Sequence, residues 1–437
     1  MSASHKKKLK EVAFLYSCPR LHIDGEAYRR VESGTVAYHS LCGSVDVARA
    51  IYRQEAVRNG PTVVPMDIAA GLVEHATPAL AYRIALGDAQ CPGRQWEQQM
   101  LACQRKPPSR STLERIAKKI GSAIRRSTPE ILAQVRDAES VETEAVAISI
   151  GLDRTTIPME EPLRKGDIPD PSRRRRTKPY VRRPPEPAEV HYRMGYVGTV
   201  HIAGRDSESI RTIKYACSAD VDPTQLVGQA LAEVVNLQEH RRSAGLEPLP
   251  IGVVQDGAPE MWRIAEDGLR TVLPGTVYYK AIDRYHLMER LAEGLKLLRV
   301  TRLEREQLLA QWRDALDTDD NAIETILERF KREARKCKAK LSRADEEIIS
   351  SHETYIRNNR ANMHYASIRR KGIPTGSGAT EGACKSVIMI RTKGCGQRWH
   401  SPGVNAVLTL RSLWLSERLP SAWKAFQQHR LRLIKAA

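Results

Sequence analysis

Three acids lie far apart in the chain, each at a place where a carboxylate could do chemistry. The run Ile251-Gly252-Val253-Val254-Gln255 leads into Asp256-Gly257-Ala258-Pro259-Glu260. This order predicts a buried strand ending at Asp256, a turn, and a helix with Pro259 in its first turn. Ala145 to Leu152 alternates branched and small residues and runs into Asp153, so a second strand is expected to end at an acid. Glu381 follows the breaker cluster Gly372-Ile373-Pro374-Thr375-Gly376-Ser377-Gly378. It falls in the first turn of a helix expected over 379–391, with Ser377 as its cap. The carboxyl edge of an open α/β sheet is where ligands bind. Phosphodiester chemistry needs such a set of acids, holding two Mg²⁺ ions about 3.5–4 Å apart. Mg²⁺ prefers carboxylate oxygen and retained water, and Mn²⁺ is the other ion such a site would take.

The totals agree with a polyanionic partner. The chain has 437 residues and a net charge of +18, which favours nucleic acid first and anionic membrane second. No apolar run approaches the roughly 20 residues of a membrane span, and MSASHKKKLKEV has no signal-peptide core. Membrane binding is therefore not expected, and a cytoplasmic, nucleoid-associated protein is. Eight scattered cysteines without a C-x-x-C pair support neither a zinc ribbon nor a disulfide framework.

Several elements must position the acids. Alternating runs such as Thr35 to His39 and Val45 to Tyr52 predict a small β-rich module over residues 1–60. Residues 61–143 read as helical. Within them, helices at 94–105 and 112–120 flank the basic turn Lys106 to Ser111, with Ser111 as the expected cap. This pair resembles a helix-turn-helix whose second helix presents Arg115, Lys118 and Lys119 to DNA. The Pro- and Arg-rich stretch to about Pro187, with Arg173, Arg174, Arg175 and Arg176, reads as a flexible loop able to meet DNA phosphate. Strands at 191–202 and 210–217, a helix from Thr224, the strand to Asp256, a helix to Leu269 and a strand at 277–282 complete the series. That is the RNase H-like order: an α/β fold with a mixed five-stranded sheet over 144–286 and 374–437. Residues 287–373 read as an all-helical insertion, and an apolar helix at 405–415 as a packing element. In this topology the strands ending at Asp153 and Asp256 are neighbours, so Asp153, Asp256 and Glu381 converge. Asp206, the rival for the first acid, sits in a hairpin turn where Asp is ordinary.

The motifs, taken together, resemble the DDE transposases of bacterial insertion sequences, in particular the Kra-type group. The matching stretches are Ser149 to Arg154 with Met159-Glu160-Glu161, Arg193 to Val200, Asp256 to Trp262, Asp283-Arg284-Tyr285-His286-Leu287, Gly376 to Gly382, and Arg398-Trp399. The resemblance implies that Asp153, Asp256 and Glu381 are metal ligands. It also implies that Asp283 and His286 form the Asp-x-x-His signature, which equally reads as a helix cap. Paired N-terminal cysteines common in relatives are missing here, against a zinc module. Lys385, four residues after Glu381, could pair with it or reach phosphate. Arg391 and Arg398 are further DNA-facing candidates. Trp312 and Trp399 read as core residues or as stacking platforms for an unpaired base.

The expected activity is binding of double-stranded terminal repeats, cleavage at the element ends, and transfer of the 3′ hydroxyl to target DNA, by a homodimer or larger assembly. The alternatives are a catalytically inactive, transposase-derived DNA-binding regulator and a structure-specific nuclease of the same fold.

Overall fold

The structure, a computed structural model, describes residues 12–13, 18–23, 25–103, 107–162, 188–205, 208–337, 339 and 341–431. The arginines 173–176, Lys106 and Asp206 lie outside the described residues. The chain divides into two compact units. One comprises residues 1–139, 156–194 and 387–437, the other 140–155 and 195–386. Among the described residues no helix is long and apolar enough to cross a membrane.

The first unit opens with an antiparallel sheet in the order β1 (Arg20–Ile23), β2 (Glu26–Ser40), β3 (Gly43–Gln54), β4 (Thr62–Val63). Tyr38, Val47, Met66 and Leu72 form the core beneath it. Five helices follow: α1 (Pro65–Ala69), α2 (Pro78–Gln90), α3 (Gly93–Ala102), α4 (Arg110–Arg126) and α5 (Thr128–Asp137). Along α4, Leu113, Ile116, Ile120 and Ile124 recur at helical spacing and are buried. Their burial drives the helix, because in proteins most helical stability comes from packing an amphipathic face. Its cap is Ser109 rather than the expected Ser111. The helix starts two residues earlier than its apolar stripe suggests, and Ser109 Oγ accepts the Thr112 N–H at 3.4 Å.

The second unit is mixed α/β. Its sheet runs in the order β7-β6-β5-β8-β9, from β5 (Ala147–Pro162), β6 (Ala188–Ala203), β7 (Ser209–Ser218), β8 (Ile251–Gln255) and β9 (Tyr278–Ile282), with residues 156–162 of β5 and 188–194 of β6 belonging to the first unit. Strand β6 is antiparallel to β7, while β8 is parallel to both β5 and β9. Helices α6 (Thr224–Ser243) and α7 (Pro259–Val272) connect them. Strand β5 does not end at Asp153 as expected but continues to Pro162. Thr155, Thr156 and Ile157 are β-branched, so the local preference for extended backbone persists past the acid.

Alternation along the strands sorts the two faces. A Cβ on Gly198 would meet Leu226 of α6. On the opposite face, Thr199 Oγ1 contacts Thr380 Oγ1 at 2.7 Å, and Ile373 presses on Gly252. Ala147, Val254, Ala281, Ile368 and Ile373 form the core on that second face.

After β9 come α8 (Arg284–Leu297), α9 (Arg302–Thr318), α10 (Ala322–Cys337), α11 (Arg343–Asn359) and α12 (Tyr365–Arg370). Capping boxes Thr301/Glu304 and Ser342/Asp345 set the starts of α9 and α11. Phe330 fills the space over Gly294, where a Cβ would lie 2.3 Å from the ring. The helix expected over 379–391 is instead α13 (Gly378–Ala383), a π-helical segment (Cys384–Met389) and α14 (Ile390–Thr392). Two helices, α15 (Ser401–Leu415) and α16 (Leu419–Leu431), end the described chain. The last of these was not expected from the sequence.

Candidate active site

The parallel register between β5 and β8 pairs Ile148 with Ile251, Ser149 with Gly252 and Ile150 with Val253. Carried past the paired residues, the same offset of 103 residues places Asp153 beside Asp256, the residue after the end of β8. Asp153 has the strand parity of Gly151 and so belongs to the face that carries Thr380, while Asp256 stands one residue past β8. Asp256 Oδ1 accepts the Ala258 N–H at 2.9 Å, closing the turn that starts α7. Gly257 occupies positive φ (94°) there, and Tyr355 Oη donates to the Asp256 carbonyl at 2.8 Å.

Glu381 reaches this edge on α13. A Cβ added to Gly151 would lie 2.0 Å from Thr380 Oγ1, so the strand is bare where the helix seats. Cys384, one turn beyond Glu381, hydrogen-bonds the Asp153 carboxylate, whose Oδ1 also accepts the Arg154 N–H at 2.6 Å. Burial pushes the Asp153 carboxyl above the usual carboxylate range, and the charges of Asp256 and Glu381 act in the same direction. On the opposite face, Arg154 ion-pairs Glu260 of α7, bracing the strand next to its acid.

Asp283, His286 and Glu381 also form a cluster whose ligand-type atoms all lie within 4.8 Å of one another. Asp283 has little left to give a metal. Its Oδ1 accepts the N–H groups of Tyr285 (2.6 Å) and His286 (3.4 Å), and its Oδ2 accepts the N–H (2.8 Å) and the hydroxyl of Ser377. It is a buried cap that ties the start of α8 to the start of α13. Ser377 stands at the N-terminus of α13 but makes no side-chain cap bond to it, contrary to expectation. Its hydroxyl serves Asp283 and lies 3.0 Å from Glu381 Oε1. His286 Nε2 approaches the same Oε1 at 3.1 Å, while its Nδ1 contacts Glu289 at 3.2 Å.

Protein-family models, curated proteins and solved structures contain no match to this chain. The geometry itself must therefore carry the chemistry. Asp153, Asp256 and Glu381 offer hard oxygen donors whose charges act on one another, although among the described residues the group with ligand-type atoms within 4.8 Å of one another is Asp283, His286 and Glu381, not these three acids. The three acids as a donor set fit Mg²⁺ or Mn²⁺ and suit a thiolate-seeking metal poorly.

The candidate DNA-facing residues divide. Arg115 and Lys119 are exposed on α4, 3.5 Å and 3.7 Å from Glu74, and Lys118 is exposed beside them. Surface pairs of this kind contribute about 0–1 kcal/mol, so phosphate can displace them. Lys385 and Arg398 are exposed as well. Arg391 is not available for DNA: it is 5% exposed and its guanidinium is committed to Asp88 at 3.0 Å. Trp312 is buried in the helical insertion, and Trp399 Nε1 donates to the Thr392 carbonyl at 3.1 Å. Gly151, Thr380, Cys384 and Tyr355 complete the site, and the sequence reading gave them no role. Gly151, a glycine inside an apolar strand, was the available signal of a close approach.

Proposed function

We propose that this chain is a DDE-type transposase with an RNase H-like catalytic fold, cleaving phosphodiester bonds at element ends and joining the freed 3′ hydroxyl to target DNA. One observation carries the reading. Asp153 in β5, Asp256 just past the end of the neighbouring parallel strand β8, and Glu381 on the helix seated against Gly151 lie near enough for the charges of Asp256 and Glu381 to act on Asp153. The strand order β7-β6-β5-β8-β9, followed by a helical excursion before the glutamate, supports the same reading.

Asp153, Asp256 and Glu381 would hold the magnesium. When bound, magnesium would activate the attacking oxygen and stabilise the leaving one. The chain's own work is positional. Asp283 fixes the starts of two helices, and His286 and Ser377 converge on one oxygen of Glu381, setting its orientation. Exposed Arg115, Lys118 and Lys119 on α4 would hold the DNA backbone, a sequence-independent contact whose strength falls with salt. Synapsis of two ends calls for a dimer or larger assembly.

The test is a labelled terminal-repeat duplex incubated with Mg²⁺ or with EDTA. Mg²⁺-dependent nicks followed by strand-joined products are expected. Nicking without joining would favour a structure-specific nuclease, and binding without nicking a regulator.

A further inference from the structure

Some glycines in this site have an internal reason to be glycine, and others do not. At Gly151 and Gly252 a Cβ would collide with Thr380 and Ile373. At Gly376, Gly378 and Gly382 it would meet no atom of the described residues within 4 Å, and none of the three has positive φ. Two of them stand in α13, where glycine is the poorest helix former after proline. Among the described residues neither packing nor a positive φ accounts for them.

All three line one cavity of about 690 Å³ beside the helix of Glu381. Its other wall is a patch of paired strand residues: Thr199 opposite Lys214, and His201 opposite Thr212. Of these His201, Thr212 and Lys214 line the cavity, joined by Arg369 of α12. His201 Nδ1 and Thr212 Oγ1 are 2.9 Å apart, and Lys214 Nζ donates to the Thr212 carbonyl at 3.2 Å. Arg369 also lines a second cavity of about 740 Å³ with Arg205, Arg370 and Lys371. Basic side chains thus line both cavities, with Arg369 and Arg370 paired to Asp317 and Asp320 and Lys371 over the Tyr279 ring.

We infer that this bare-walled, cation-lined cavity holds the sugar–phosphate backbone of a DNA strand as it passes the site. The glycines leave main chain open to close approach, and Lys214 supplies charge for phosphate beside Arg369, whose ion pair with Asp317 at 2.8 Å a phosphate would have to displace. The inference rests on the proposed function and adds to it the path of one strand along the sheet.

The test measures binding of a labelled duplex of arbitrary sequence by the full chain, across a salt series, for the wild type and for Lys214→Ala, Gly382→Ala and Gly382→Leu. Gly382→Ala reports on the fold, and its melting temperature should equal or exceed that of the wild type. Gly382→Leu should bind about tenfold more weakly, roughly a 1.4 kcal/mol effect. Lys214→Ala should lower the slope of log affinity against log salt by about one. Wild-type affinity and slope in both Lys214→Ala and Gly382→Leu would overturn the strand path, and continued Mg²⁺-dependent nicking by the wild type would leave the transposase reading standing. Weakened binding in these variants beside a wild type that never nicks DNA would support the path while removing the enzyme.

Discussion

The main-chain N–H of Ser377 donates to Asp283 Oδ2 at 2.8 Å, a contact between residues 94 apart in the chain. The whole helical excursion from α8 to α12 is closed by this link, and His286 and Glu381 lie one turn beyond its two ends. Asp283→Ala removes a helix cap and strands buried donors at Ser377. About 2–4 kcal/mol of stability should be lost, read as a lower urea midpoint with an unchanged slope.

His286 contacts Glu381 and Glu289 from a partly exposed position. His286→Ala should therefore leave the melting temperature close to that of the wild type. Nicking should fall by about 10–100-fold, the usual cost of losing a residue that orients a metal ligand. Comparison of thermal melts with single-turnover nicking rates checks both halves.

Asp153 gives a pH dependence with a definite sign. Burial raises its carboxyl above the ordinary range, so the folded protein holds that proton more tightly than the unfolded chain. Its contribution to stability is complete below the ordinary carboxylate pKa and is lost as pH rises through the raised value. Asp153→Asn should accordingly be more stable than the wild type at neutral pH while losing nicking activity. Mg²⁺ at a hundredfold excess over its dissociation constant should stabilise the wild type by about 2.7 kcal/mol and the variant by far less. Denaturant titrations at several pH values, with and without Mg²⁺, decide the matter.

The seat of the Glu381 helix can be probed at the strand. Gly151→Ala places a methyl group against Thr380 Oγ1, so α13 must move and nicking should fall with it. Adding Thr380→Ala removes the clashing oxygen and should restore part of the activity. A methyl at Gly257 would instead meet the Tyr355 ring at 3.0 Å in a backbone conformation with φ of 94°. There Gly257→Ala should cost about 1–3 kcal/mol.

The strands leading to Asp153 and Asp256 were legible because each signal is local. Apolar runs ending in Asp, with Gly and Pro just after, predict a strand and a turn wherever they occur. The end of β5 was not legible, since Thr155 to Ile157 continue the extended preference past Asp153 and only the fold says which part of the strand faces the site. The cap at Ser377 misled for a related reason. A serine before a helix looks like its cap, yet a buried carboxylate from a distant helix start claims the hydroxyl. Arg391 shows the same limit for charge. Its neighbours in sequence suggest a basic surface, whereas Asp88, 303 residues away, takes it into the core. The roles of Thr380, Cys384 and Tyr355 depend entirely on such distant pairings, which composition and spacing do not encode.

The central claim, that Asp153, Asp256 and Glu381 act together on a phosphodiester bond, is tested most directly by nicking of a labelled terminal-repeat duplex in Mg²⁺ by Asp256→Asn and Glu381→Gln. Both variants are expected to bind the duplex with near wild-type affinity and to release no nicked strand. Cleavage at the wild-type rate by either one would contradict the account.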